Sequence, residues 1–409
     1  MLIHESLVAA MLIHGSLAAA VGYRAPPDAV KLFAASYSGK ITTLSLEQQG
    51  YGSSLKSLFT NADSAPSPSW LLLDGKLLYS VDEGLNVPNG SVNVFEVGDD
   101  GSLKRTSRVG TIDGGVNGAF YADGAALVVP HYAGSAVTTY LIDKSSKSVT
   151  RHQNFTFTLP AKGPNPDRQE APHPHQAIVH PSGNFILVPD LGADLVRVFR
   201  VDKNSKDITE VDPLKAAPGS GPRHAAFGTG KMHKRDERDD KDHSEDEHEL
   251  FLYLVAELAN TVTVYKTTCL PGETGLKFEQ VQVASTYADK QPPNGTAAAE
   301  IALSASGTQV IISNRGDNGF STAGKQSDSF ATYSIDTAKG SLSPIGLFPA
   351  GGPFPRQFAL NKAGDLVAVG LQKSGDVAVF KFDKEKGKFG DKVASINVGG
   401  EVVCVIWDE

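Results

Sequence analysis

The sequence predicts an all-β chain folded as a single seven-bladed β-propeller, and three observations carry that expectation. First, a pattern of short apolar strand, glycine turn, alternating strand, polar stretch and a strand ending in V-x-V-[FY] recurs six times between residues 30 and 383. Second, its turn glycines are regularly spaced: Gly75 to Gly124 is 49 residues, Gly124 to Gly183 is 59, and Gly307 to Gly364 is 57. That is the length of a four-stranded propeller blade. Third, the stretches between strands are rich in Gly, Pro, Asp and Ser and lack the apolar i, i+3, i+4 spacing of helices, which argues against alternating β/α units.

Taken in order, residues 1–20 (MLIHESLVAA MLIHGSLAAA) form an imperfect duplication ending in Ala18-Ala19-Ala20. Small residues at that place suit a signal peptidase, although no Lys or Arg precedes the apolar stretch and Glu5 interrupts it. A secreted or cell-surface protein is expected, with a cytoplasmic one as the alternative, and the propeller is expected over 21–409. Segment 30–46 (VKLFAASYSGKITTLSL) supplies a second and a third strand but no first. Copies follow at 70–97, 117–143, 175–202, 223–266, 300–336 and 356–383, and the chain closes with a lone β-rich EVVCVIW at 401–407. Pairing that last strand with the N-terminal partial blade closes the ring and removes the exposed edges of an open array.

Residues 231–249 interrupt the fifth copy, counting the partial one at 30–46, with nine acids, five bases and three histidines. Such a run cannot bury apolar surface, so a disordered surface loop between two strands is expected. Asn89, Asn154 and Asn294 each begin an Asn-x-Ser/Thr sequon in a turn-rich or loop-like context, as glycosylation acceptors do. Cys269 and Cys404 read as two small buried thiols rather than as a disulfide.

The chain has 38 Lys and Arg against 46 Asp and Glu, a net charge of −8. It therefore lacks the basic field that attracts phosphate backbones or anionic lipid, and nucleic acid is not an expected partner. No apolar run long enough to span a membrane follows the N-terminus.

In a propeller blade, residues just before the first strand and just after the second lie at one end. This gives a single rim: Trp70 with Asp82 and Glu83, Asn117 with His131, His175 with Asp190, Arg223 and His224 with Glu257, Glu300 with Arg315, and Arg356 with Gln372. Three arginines suit bidentate pairing with carboxylate or phosphate, and Glu257, Glu300 or His175 suits proton transfer. The competing reading is a structural network that holds neighbouring blades together. Buried ion pairs are costly and not needed to close a β ring, which favours function.

The segments His173-Pro174-His175-Gln176, Pro189-Asp190-Leu191-Gly192, Pro222-Arg223-His224, Glu257-Leu258, Ala299-Glu300-Ile301, Ser313-Asn314-Arg315-Gly316 and Pro355-Arg356-Gln357-Phe358 resemble the seven-bladed lactonase family. That family holds propeller-type 6-phosphogluconolactonases and fungal 3-carboxy-cis,cis-muconate lactonizing enzymes. The leader and sequons look more like the secreted fungal carboxymuconate-cyclase-like glycoproteins, some of which are cell-surface antigens. The resemblance implies His175, Arg223, Glu257 and Arg315 as catalytic residues; the rim itself offers Arg356, Glu300, His224, Asp190 and His131 to bind substrate, with a strand-end cap as the alternative for His131. One departure is Ala256, where the family commonly has Asn.

The lead expectation is a cycloisomerase of the carboxymuconate cyclase type. Arg223 and Arg315 would neutralise carboxylates and the developing enolate, and His175 or Glu257 would donate a proton. The first alternative is a 6-phosphogluconolactonase-like hydrolase, with Glu257 or His175 activating water and an arginine stabilising the oxyanion. The second is a surface glycoprotein whose propeller binds a cell-wall or host-surface partner. No cofactor and no metal are expected, because no zinc-spaced Cys/His set, no phosphate-cradling G-x-x-x-x-G-K-[ST] and no G-x-S-x-G elbow occurs.

Overall fold

Successive residues of a strand point to opposite faces, and here both faces find a neighbour. In the strand Val30–Ser36, Leu32 and Ala34 pack against Ala368, Val377 and Val379. Their sequence neighbours Phe33 and Ala35 pack the other way, against Leu71, Leu78 and Phe95. A sheet buried on both sides needs near-continuous apolar strands, which explains runs such as FILVP and LFLYLVA.

The computed structural model describes residues 29–49, 52–230 and 249–409. These form seven four-stranded antiparallel sheets, and the core is a series of apolar slabs between adjacent sheets. The first blade combines the C-terminal strand Val402–Trp407 as its inner strand with Val30–Ser36, Lys40–Gln49 and Gly52–Asn61. Leu32 faces Trp407 and Ala34 faces Val405 across that junction, so the ring closes as the partial N-terminal copy requires. The other blades follow in chain order, with inner strands Pro68–Asp74, Ala119–Tyr121, Ile178–Val179, Pro222–Thr229, Ala297–Leu303 and Pro355–Leu360. Gly75, Gly124, Gly183, Gly307 and Gly364 all take positive φ, between 58° and 78°, which is why the inner turns use glycine.

A zipper joins the inner strands. Asn117 Oδ1 accepts a hydrogen bond from Ala177 N, Gln176 Oε1 from Ala225 N, and Gln357 Oε1 from Val405 N, each reaching the next blade.

Some expectations change. Cys404 is buried, but Cys269 is exposed at the end of the strand Thr261–Cys269, where it no longer reaches the interior; both thiols are free. Asn154 lies in the outer strand Ser148–Thr156 rather than in a turn, and it is exposed there, as are Asn89 and Asn294. The expected leader at 1–20 and nearly all of the acidic stretch 231–249 lie outside the described residues. The flanks of that stretch, Gly230 and Glu249, are joined by a backbone hydrogen bond of 2.6 Å, and they sit at the end of the fifth blade remote from Glu257.

Candidate active site

The site is built at the rim where inner strands begin and second strands end. Glu257 is its electrostatic centre. Arg223 Nε and Arg315 Nη2 each lie 2.8 Å from Glu257 Oε2, and Arg168 Nη2 lies 2.7 Å from Oε1. Burial opposes the charge on Glu257 most strongly, but Arg315, Arg223 and Arg168 together overcome it and hold the carboxyl well below its usual range. Arg223 is itself buried; that burial, with Arg315 nearby, pulls its pKa down to about 9, and its Nη1 has no hydrogen-bond partner. Glu257 therefore works as a fixed counter-charge that gathers three guanidiniums. It is not a group with a proton to give at neutral pH.

A second chain of side chains lies beside it. His175 Nδ1 is 3.1 Å from His224 Nε2, and His224 Nδ1 is 2.9 Å from Glu300 Oε1. Burial, followed by Arg223, pushes His175 well below the ordinary imidazole value, so it is neutral at pH 7. His224 is also lowered by burial, against the pull of Glu300. Among the described residues nothing hydrogen-bonds His175 Nε2. His175, Arg223, His224 and Arg356 line one narrow cavity with Ser69, Trp70, Val116, Gln357 and Val403, with room for about one water molecule. Arg356 lies with its Cζ 5.4 Å from the ring of Tyr37, whose hydroxyl donates to Glu83.

The structure thus brings together His175, Arg223, Glu257, Arg315, Arg356, His224 and Glu300. It does not bring His131 or Asp190 to the rim. Both are the last residue of a second strand, and their side chains turn outward along their own blade. His131 Nε2 meets Thr138 Oγ1 at 2.8 Å, and Asp190 Oδ2 meets Arg197 Nη2 at 2.9 Å while Oδ1 accepts from the His173 and Ala193 amides. Asp82 does likewise with Ser67 N and Ser91 Oγ. Strand alternation delivers the next residue to the axis instead: Glu83, Tyr132, Glu257 and Arg315.

Tyr132 was missed for that reason; it stacks on His173 at 4.2 Å and sets its ring edge-on to His175 at 5.6 Å. Arg168 was missed because it belongs to no strand. It sits on the long connection 157–177 between the third and fourth blades, which Gln169 anchors by donating Nε2 to Leu191 O and accepting from Asn165 N. The one sequence signal for it is an arginine in an unusually long connection on the rim side.

A family model described as "Lactonase, 7-bladed beta-propeller" matches residues 30–407. The protein of Arthroderma benhamiae named "Probable 6-phosphogluconolactonase" is 33% identical over 377 residues, covering 92% of this chain and 88% of that one. The 6-phosphogluconolactonase of Formosa agariphila is 29% identical over 353 residues, 84% of this chain and 89% of its own. Among solved structures, the periplasmic gluconolactonase of Pseudomonas aeruginosa superposes with a TM-score of 0.74 at 24% identity, over 93% of this chain and 99% of that one, which is a likeness of fold. The match along nearly the whole length, together with the closed ring, means that this chain belongs to the seven-bladed β-propeller lactonase family.

Proposed function

We propose that this protein hydrolyses an anionic sugar lactone, in the manner of the 6-phosphogluconolactonases it resembles. The observation that carries the reading is the convergence of Arg168, Arg223 and Arg315 on Glu257, beside a cavity lined by Arg223, Arg356 and a neutral histidine. Arg223 and Arg356 both present guanidinium donors to that cavity, which suits a phosphate or carboxylate. The narrow cavity fits the attacking water, so the substrate sits against the arginines with its carbonyl carbon presented to that water.

His175 Nε2 takes a proton from the water as its oxygen bonds to the carbonyl carbon. The carbonyl oxygen becomes an oxyanion beside Arg223, whose unpaired Nη1 supplies a donor. Collapse breaks the ring C–O bond, and the proton on His175 passes to the departing ring oxygen, leaving the hydroxy acid. The lead expectation of cyclisation needs an acidic proton at neutral pH, whereas Glu257 is held ionised and His175 neutral. That balance, and the names of the relatives, favour hydrolysis.

The test is acid release at constant pH from 6-phosphoglucono-δ-lactone and from glucono-δ-lactone, with 3-carboxy-cis,cis-muconate followed by its ultraviolet absorbance. Hydrolysis well above the spontaneous rate, faster with the phosphorylated lactone, is expected. Consumption of the muconate without lactone hydrolysis would overturn the reading.

The exposure of Asn89, Asn154 and Asn294 supports a glycosylated, secreted protein. Expression through a secretory pathway should give a product whose electrophoretic mobility rises on treatment with an N-glycosidase; an unchanged mobility would remove this part of the proposal.

A further inference from the structure

We propose that Glu300 and His224 are positioning residues that fix the tautomer of His175 and make its Nε2 the base, an inference that rests on the lactonase reading above. The geometry allows one consistent direction when Glu300 is a carboxylate. Glu300 Oε1, 2.9 Å from His224 Nδ1, has no proton to give, so His224 carries its hydrogen on Nδ1 and has a lone pair on Nε2. That lone pair, 3.1 Å from His175 Nδ1, requires a hydrogen there. His175 Nε2 is then a lone pair, on a ring that lines the cavity. A carboxylate behind a histidine holds the correct tautomer and stabilises the imidazolium that forms when a proton arrives.

The place these two residues occupy in the ring strengthens the case. His224 and Glu300 stand at the inner-strand positions where Asn117, Gln176 and Gln357 clasp the backbone of the next blade. At these two positions the clasp is abandoned. His224 spends both nitrogens on side chains, and Glu300 Oε1 folds back to accept from its own neighbour Ile301 N. An amide would serve ring closure, as it does elsewhere; a buried histidine–carboxylate pair serves it no better and adds a desolvation cost. Both side chains are at least 96% buried, with relative exposures of 1% for His224 and 4% for Glu300.

Glutamine substitution separates the two roles, because glutamine is what the ring itself uses at this position. Glu300→Gln and His224→Gln are each expected to melt close to wild type, keep KM within a few-fold, and lose about 10²-fold in kcat. The groups facing His175 are His224 and Arg223 of the fifth blade, Arg315 of the sixth, Arg356 of the seventh and Tyr132 of the third. In Glu300→Gln the one negative charge behind the chain is gone while those arginines remain, so the acid limb of kcat/KM should move to lower pH. Wild-type kcat and an unmoved limb in both folded variants would overturn the proposal. Nitrogen-15 spectra of the wild type, assigned with His175→Gln and His224→Gln, give a readout independent of turnover: both histidines should carry hydrogen on Nδ1. If the wild type hydrolyses no lactone, the function fails and the spectra alone decide the relay; a His175 protonated on Nε2 would overturn it.

Discussion

Glu257 shows how one carboxylate can look catalytic in sequence and act differently in space. Its two oxygens are divided among Arg168, Arg223 and Arg315, so its removal leaves three guanidiniums facing one another. Breaking a buried ion pair by deleting one partner costs about 3–5 kcal/mol. Glu257→Gln should therefore lower stability by roughly that amount and lose activity, as read by urea denaturation and turnover on the same preparation. An inactive variant of wild-type stability would instead mean that Glu257 is the proton-transfer group. At this scale the sequence named most of the residues that the fold gathers into the candidate site, because the residues that open inner strands form recognisable short motifs. The two residues it misplaced, His131 and Asp190, failed for one reason. They lie a single position before the axis-facing residue, and a shift of one along a strand moves a side chain to the other face. Arg168 and Tyr37 lay beyond such reasoning, since the first comes from a connection and the second meets Glu83 only once the ring has closed.

Among the elements, the three inner strands of a blade were legible because they carry apolar runs that end at a positive-φ glycine turn or a polar stretch. The outermost strands, such as Leu103–Gly110 and Ile208–Lys215, are largely exposed and polar and carry no such signal. Closure was legible too, since a two-strand start and an orphan final strand complete one another. Exposure at strand ends was not: Cys269 follows an apolar run, yet it ends its strand outside the packed slabs. The charged insertion of the fifth blade leaves from the end opposite the arginines, and its flanks Gly230 and Glu249 already approach within a backbone hydrogen bond. Replacing 231–248 by a two-residue Asn-Gly turn should leave kcat/KM unchanged and raise stability by no more than about 2 kcal/mol, because each halving of loop length returns only about 0.6 kcal/mol of closure entropy. A several-fold loss of kcat/KM in the shortened protein would show that the segment reaches the site.

Across the whole molecule, burial of neutral histidines ties stability to pH. Burial lowers His131 to about 3 and His180 to about 4, and His175 and His224 are lowered as well. Below the ordinary imidazole value of 6.5 the unfolded chain binds protons that the native one refuses. This contribution is complete above that pH and is lost as pH falls toward the folded values, at up to about 1.4 kcal/mol per pH unit for each histidine. Asp82, Glu83 and Asp190 are raised by burial and act in the opposite sense, so the comparison should be made against His131→Gln, in which they cancel. Between pH 6.5 and 5 the variant's unfolding free energy should fall less steeply than the wild type's; equal slopes would mean that His131 is protonated in the native state.

The fold places Arg223, Arg315 and Arg356 beside one buried histidine, His175, and lactone hydrolysis is the chemistry that this arrangement suits. The most direct test is 6-phosphoglucono-δ-lactone hydrolysis at constant pH by the wild type and by His175→Gln, with the melting temperature of each. Turnover by the wild type that drops at least about 10²-fold in an equally stable variant is the predicted result. A wild type no faster than spontaneous hydrolysis, or a variant that matches it, would contradict a mechanism built on His175.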